Sequence, residues 1–352
     1  MSTSLKEIAS IVGVSTTTVV RALKDRPDVK EETKQRIIKV AKELGYRPNI
    51  LARGLVTNRS FTVGIVVPDL TNPFFPELIK GIETTIWAKG FNAILADTDY
   101  DLVKEEAAIE SLISRQVDGI VIAPIESRRD RAVYEMLQES GVPFVCMSMV
   151  QDLNTDLVIA DDEAGAYAAV RHLLSLGRRR VVYMGSTLSP RADAERLSGY
   201  KKALQEAGID FDESLVLRGD QRDVDSGQSL MNEYFASGRT CDAVLSFSDL
   251  MALGVMKAVR QRGLSIPSDV AVVGFDDIKV ASAMEIPLTT VSIPKYNLGE
   301  EAANLLIRRI DQLKGKKDTD KRSPGTVTFQ KIVLRPTLVV RGSCGASSKT
   351  GQ

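Results

Sequence analysis

Ser15, Thr16, Thr17 and Thr18 stand in a row, and Arg21 follows one helical turn after Thr17. Threonine is a mediocre helix former, several tenths of a kcal/mol worse than alanine per residue. Three in succession at a helix start therefore point to a role other than folding. Hydroxyls in that position reach phosphate oxygens and base edges, and an arginine fork pairs bidentately with guanine. Thr17 and Arg21, four apart, share one helix face. The bland alternative is a polar face on a small helical bundle; the residues just upstream favour the chemical one.

Those residues set the frame. Leu5, Ile8 and Ala9 recur at helical spacing, Gly13 breaks the pattern and Val14 plugs the turn. Ser15 is a good N-cap, and Val19, Ala22 and Leu23 give the second helix an inward face. Two short helices around a tight glycine turn predict a helix-turn-helix, whose second helix offers its N-terminal residues to the DNA major groove. A third amphipathic helix is expected over 31–44, with Ile37, Val40, Ala41 and Leu44 inward and Gly45 as its stop. After it, Asn49 can cap a helix of about two turns through Ala52, Arg53 and Leu55. That is shorter than the roughly 12–15 residues at which isolated helices become marginal, so it is expected to order only against a partner.

The charge is divided to match. The whole chain of 352 residues is formally neutral, yet residues 1–60 hold 12 Lys and Arg against 6 Asp and Glu, a net of +6. The remainder holds 34 against 40, a net of −6. A basic module on an acidic body fits phosphate binding at one end. A hydrophobic content of 43% supports a sizeable core, and no apolar run reaches membrane-spanning length. The N-terminus has no signal-peptide pattern, and the 3 cysteines (Cys146, Cys241 and Cys344) are odd in number and lack metal-ligand spacing. Both favour a reducing cytoplasm.

From Phe61 onward short apolar runs alternate with helical stretches. Runs at 61–67, 91–97, 119–123 and 143–147 read as buried parallel strands, and a second set follows at 181–185, 215–219, 243–247 and 270–275. Two βα sets predict two doubly wound subdomains, with ligands bound at strand carboxyl ends in the cleft between them. The charged run 314–322 reads as a solvated loop. Asp97–Asp101 begins like a calcium loop, but Leu102 replaces the turn glycine and Ala108 the closing glutamate. No dinucleotide fingerprint or phosphate loop is present. His172, the single histidine, reads as a surface or packing residue. No metal, cofactor or catalytic set is expected.

Over nearly its full length the chain resembles the lactose-repressor family of bacterial transcription regulators. The resemblance is carried by LKEIASIVGVSTTTVVRAL, the YRPN…ARGL segment, VPDLTNPFF (67–75), QVDGIVI (116–122), RLSGY (196–200), SDLMALG (248–254), VGFDD (273–277) and PLTTV (287–291). It implies an α/β protein: an all-α helix-turn-helix headpiece at 1–46, a hinge helix and linker at 47–60, and an effector-binding and dimerisation domain at 61–342. That domain divides into about 61–160 with 293–322 and 161–292 with 323–342, and 343–352 forms a flexible tail. The family likeness implies Thr16, Thr17 and Arg21 on base edges and Ser15, Thr18, Tyr46 and Asn49 near phosphates. The hinge residues Ala52 and Arg53 join them on DNA, and Leu55 wedges the minor groove.

The implied partners are a double-stranded pseudo-palindromic operator, a small-molecule effector and a second copy of the chain, with no membrane and a cytoplasmic, nucleoid-associated location. Asp69, Asn72, Phe74, Arg196 and Asp276 match family positions that contact a sugar or nucleobase. Three positions depart from the pattern. Gln221 replaces a frequent aromatic, Ser248 a frequent asparagine and Ile293 a frequent glutamine, so either the ligand is less polar or anionic, or other residues compensate. The alternatives are a sugar-binding transport protein or a sugar-metabolising enzyme on the same core fold. Retention on DNA-cellulose at low salt separates them from a regulator.

Overall fold

The structure, a computed structural model, describes residues 4–23, 26–46, 59–126, 132–150, 152–318 and 328–346. It divides into two compact units, 1–60 and 61–352.

Among the described residues the first unit contains three helices, α1 (Leu5–Val12), α2 (Thr16–Leu23) and α3 (Glu31–Glu43). Ser4 caps α1 by accepting from the Glu7 N–H, and Gly13, at φ 73°, ends it. Ser15 then caps α2, accepting the Thr18 N–H at 3.1 Å. Gly45 sits at φ 62° after α3, and the Tyr46 N–H closes back onto the Ala41 carbonyl at 2.8 Å. Glycine takes that left-handed backbone without a Cβ clash. The buried seam joins Ile8, Ala9 and Val12 to Val19, Ala22, Ile37 and Ala41. Such a core is small, so the caps carry a substantial share of the stability, typically about 1 kcal/mol each.

The second unit holds two six-stranded sheets. Sheet 1 contains β1 (Thr62–Val67), β2 (Asn92–Asp97), β3 (Gly119–Ile122), β4 (Phe144–Cys146) and β5 (Asp156–Ala160). Interleaved are α4 (Phe74–Ala88), α5 (Leu102–Ser114) and α6 (Ala132–Glu139). Sheet 2 begins after α7 (Asp162–Ser175). It contains β6 (Val181–Ser186), β7 (Val216–Gly219), β8 (Ala243–Ser246), β9 (Ala271–Asp276) and β10 (Thr289–Ser292). Its helices are α8 (Pro190–Glu206), α9 (Val224–Ala236), α10 (Asp249–Gln261) and the short α11 (Lys279–Ala283). The long α12 (Lys295–Asp318) returns to sheet 1, packing on α4. Two edge strands follow, β11 (Lys331–Leu334) and β12 (Thr337–Val339).

Strand orders are β11-β5-β4-β3-β1-β2 and β12-β10-β9-β8-β6-β7, all parallel pairs except β12 with β10. The central strands are apolar on both faces because helices cover both, as parallel sheets require. The chain passes between the halves three times, at 160–162, 292–295 and 334–337.

Three details differ from the sequence expectation. Strand β11 lies in sheet 1, its Lys331 opposite Leu157, so 323–342 is split between the halves rather than belonging to the second. The turn at Arg335-Pro336 makes that split: Pro336 has no N–H to continue the ladder, and the chain crosses there to sheet 2. Residues 314–318 continue α12 instead of starting a loop; charged residues without proline are compatible with helix. The expected flexible tail begins with a docked turn, Gly342–Cys344. Ser343 and Cys344 are fully buried there, and the Ser343 hydroxyl accepts the Thr289 N–H while donating to the Val272 carbonyl.

Candidate functional site

On α2 the side chains of Thr16, Thr17 and Arg21 are exposed, while Val19 and Ala22 face the core. The Ser15 and Thr18 hydroxyls lie 2.9 Å apart, so the cap and the threonine steady one another. Arg21 forms a 3.0 Å ion pair with Asp28 in the following loop, with both side chains more than half exposed. An exposed pair of this kind contributes little stability but biases where the guanidinium points. Tyr46 packs on the headpiece core. Asn49, Ala52, Arg53 and Leu55 lie outside the described residues.

In the second unit a cavity of about 120 Å³ lies between the two sheets. Phe74, at the start of α4, and Arg196, in α8, line it. So do Ile293, at a crossover between the halves, and Phe247, at the end of β8. Asp69 and Asn72 are turned to the backbone beside it. The Asp69 carboxylate accepts from the Thr71 N–H and hydroxyl, and the Asn72 amide oxygen accepts the Phe74 N–H at 3.0 Å. Ser248 is buried as the N-cap of α10, bonded by the Met251 N–H. Gln221 is exposed and off the cavity wall, which Arg222 forms instead.

Arg196 is the most firmly held of these groups. It reaches Asp162 at 2.8 Å, donates to the Phe247 carbonyl, and stacks over Phe275 at 3.6 Å and Phe247 at 4.3 Å. Burial opposes its charge, and Asp162 and Asp276 more than offset that. Asp276 is buried beside it with φ 112°, a backbone region that residues other than glycine rarely occupy. Burial pushes its carboxyl up to about 6, against the pull of Arg196, Lys295 and Arg222.

Lys295, 2% exposed, holds that turn by donating to the Asp276 carbonyl and, at 3.1 Å, to the Asp277 carbonyl. Sequence reasoning missed Lys295. The only signal was a lysine directly after Ile293-Pro294, just past a strand.

It also missed a charged web that adjoins Arg196 through their shared partner Asp162. Arg191 donates to Glu195 at 2.6 Å, to Ser148 at 3.0 Å and to Asp162 at 3.3 Å, and lies 3.6 Å from Glu126. Burial works against the Arg191 charge, and Glu126, Asp162 and Glu195 more than compensate. These residues come from four segments distant in sequence and meet only through the fold.

A three-helix headpiece with a presented polar helix, joined to a pair of parallel sheets with a charged cavity between them, defines a DNA-binding regulator with a ligand-sensing domain. Residues 4–49 match the model for bacterial regulatory proteins of the lacI family. Residues 60–331 match the one for periplasmic binding proteins and the sugar binding domain of the LacI family. The chain belongs to the LacI family of transcriptional regulators.

It is 33% identical over 350 residues to the HTH-type transcriptional regulator DegA of Bacillus subtilis, covering 97% of this chain and 98% of that one. Against the ribose operon repressor of Escherichia coli it is 32% identical, covering 97% and 99%. The structure of the transcriptional regulator CelR in complex with cellobiose superposes with a TM-score of 0.72 at 32% identity, covering 97% and 99%. The lac repressor dimer bound to operator, at 23% identity, shares the fold with a TM-score of 0.84 over 98% and 99%.

Proposed function

We propose that this chain represses transcription as a homodimer bound to a pseudo-palindromic operator, and that a small metabolite in the cavity between the sheets controls that binding. The observation that carries the reading is the exposed row of Thr16, Thr17 and Arg21 on a capped helix whose other face is fully committed to the core. That face has no packing role, and its donors suit base edges. The ribose operon repressor and the CelR–cellobiose complex support a sugar or sugar-derived effector. A two-fold dimer places two such helices on half-sites about one helical turn apart. The cavity spans two bodies joined by three chain crossings, so a ligand that prefers one closure shifts the population of that state.

The test is selection of bound sequences from random DNA by the full chain, with and without a panel of sugars, sugar acids and nucleobases. A symmetric consensus whose enrichment changes with one metabolite is expected. Uniform binding to all sequences would overturn the operator reading. A consensus indifferent to every metabolite would overturn the effector reading.

A further inference from the structure

Resting on the reading that the cavity is the effector site, we infer that the effector is a small hydroxylated monocarboxylate whose carboxylate is held by Arg222. Three guanidinium groups line the cavity, Arg191, Arg196 and Arg222, against two carboxylates, Glu126 and Asp162. Arg196 and Arg191 are both ion-paired with Asp162, and Arg191 also with Glu126 and Glu195. Arg222 has no carboxylate within 4.0 Å among the described residues. It donates to the Ser189 hydroxyl at 2.9 Å and lies over the Tyr100 ring at 4.7 Å. Its Nε is buried and has no hydrogen-bond partner.

An arginine does not escape burial by losing its proton as a lysine does. Arg222 as a whole is half-buried, with its Nε shut off from solvent. A desolvated cation without an ion-pair partner is destabilising, and that desolvation weakens its hold on the proton even with Asp276 and Asp69 acting from a distance. A planar fork with a free edge matches a carboxylate. Of the three guanidinium groups on the wall only Arg222 lacks a carboxylate beside it, and a monoanion supplies that one missing pair. A phosphate monoester, carrying about −1.5 to −2 near pH 7, would overshoot and face Asp162 and Glu126. Those two carboxylates have lone pairs beyond their present bonds and can accept from ligand hydroxyls, while Phe74, Ile293 and Leu298 cover a carbon skeleton. The cavity volume of about 120 Å³ suits a metabolite rather than a macromolecule.

The test uses the full chain, with thermal unfolding and calorimetry near neutral pH. The probes are lactate, gluconate and glucuronate, their neutral counterparts glycerol and glucose, and glucose 6-phosphate. At least one acid is expected to raise the unfolding temperature and to bind about tenfold or more tighter than its neutral counterpart. Arg222→Gln is expected to lose that advantage by about tenfold or more. Independently of any ligand, Arg222→Met is expected to raise the unfolding temperature of the free protein, since it keeps the stem and removes the unpaired charge.

Preference for a neutral sugar or the phosphate, undiminished acid binding by Arg222→Gln, no binding of any acid, or a less stable Arg222→Met would each overturn the inference. Operator binding separates it from the parent reading. A neutral sugar that alters operator affinity sinks the carboxylate and keeps the effector site. Acids that bind through Arg222 without altering operator affinity do the reverse.

Discussion

Glu126 and Arg191 meet across the cleft: the Glu126 carboxylate, beyond β3 in one half, accepts the backbone N–H of Arg191 at 3.1 Å in the first turn of α8 in the other. The Ala192 N–H reaches the same oxygen at 3.3 Å, and the Ser148 hydroxyl donates to its partner oxygen. A helix N-terminus is a ready anion site, and here a side chain of the protein fills it. The contact ties the two halves together.

Removing that charge while keeping an acceptor is the mildest way to weaken the tie. Glu126→Gln is expected to lower unfolding stability by about 1 kcal/mol, the scale of a carboxylate at a partly buried helix start. Urea unfolding measures it. A midpoint unchanged from the wild type would mean that the contact contributes nothing.

Stability should also fall as pH rises from about 4 to about 7. Burial, then the neighbouring Asp276 charge, push the Asp249 carboxyl up to about 7, and burial pushes Asp276 up to about 6. Both folded values lie above the ordinary 3.8, so in that window the folded state binds more protons than the unfolded one. Their stabilisation is complete below about 4 and is lost as pH climbs through the folded values, at about 1.4 kcal/mol per pH unit for each fully differing group. Asp249 accepts from the Thr290 hydroxyl and, at 2.8 Å, from the Ile278 N–H. Asparagine can keep the second bond and donate to the hydroxyl, so Asp249→Asn is expected to fold and to show a shallower slope. An identical slope in variant and wild type would rule out Asp249 as a source.

Helix contact across α4 and α12 depends on a missing side chain. A Cβ on Gly81 would stand 2.1 Å from the Tyr296 carbonyl oxygen, a backbone atom that cannot rotate away. Gly81→Ala should therefore cost about 3 kcal/mol or more, at the upper end for overpacking. A loss below about 1 kcal/mol by chemical denaturation would show that the two helices separate easily.

Val20 is half-exposed on α2 and absent from the packed headpiece cluster, although Leu23 and Val14 belong to it. An isopropyl group beside Thr16 and Thr17 suits a thymine methyl in the major groove. Val20→Ser is expected to relax selectivity at one base pair per half-site, by about 1 kcal/mol. Replacing that thymine by uracil should weaken the wild type and leave the variant unaffected. Absence of such a position anywhere in the half-site would show that Val20 reads no base.

The sequence by itself determined the headpiece and the body plan. Ser15 and Gly13 act on groups three or four residues away, and the apolar runs of β1, β3, β6, β8 and β9 are buried whatever surrounds them, so local pattern suffices. It did not reveal β5, β10, β11 or β12, which are short or carry polar residues, two of them at sheet edges where one side needs no apolar cover. Phe74, Arg196 and Ile293 on the cavity wall were legible from the family motifs, and the rest of the wall was decided by tertiary structure. Whether Gln221 or Arg222 faces inward depends on how the turn after β7 leaves the sheet. Glu126, Ser148, Asp162 and Arg191 become neighbours only because parallel strands deliver their carboxyl ends to one crevice. Hydrogen bonding along a helix is local and legible, whereas charge pairing between strand ends is set by the path of the whole chain.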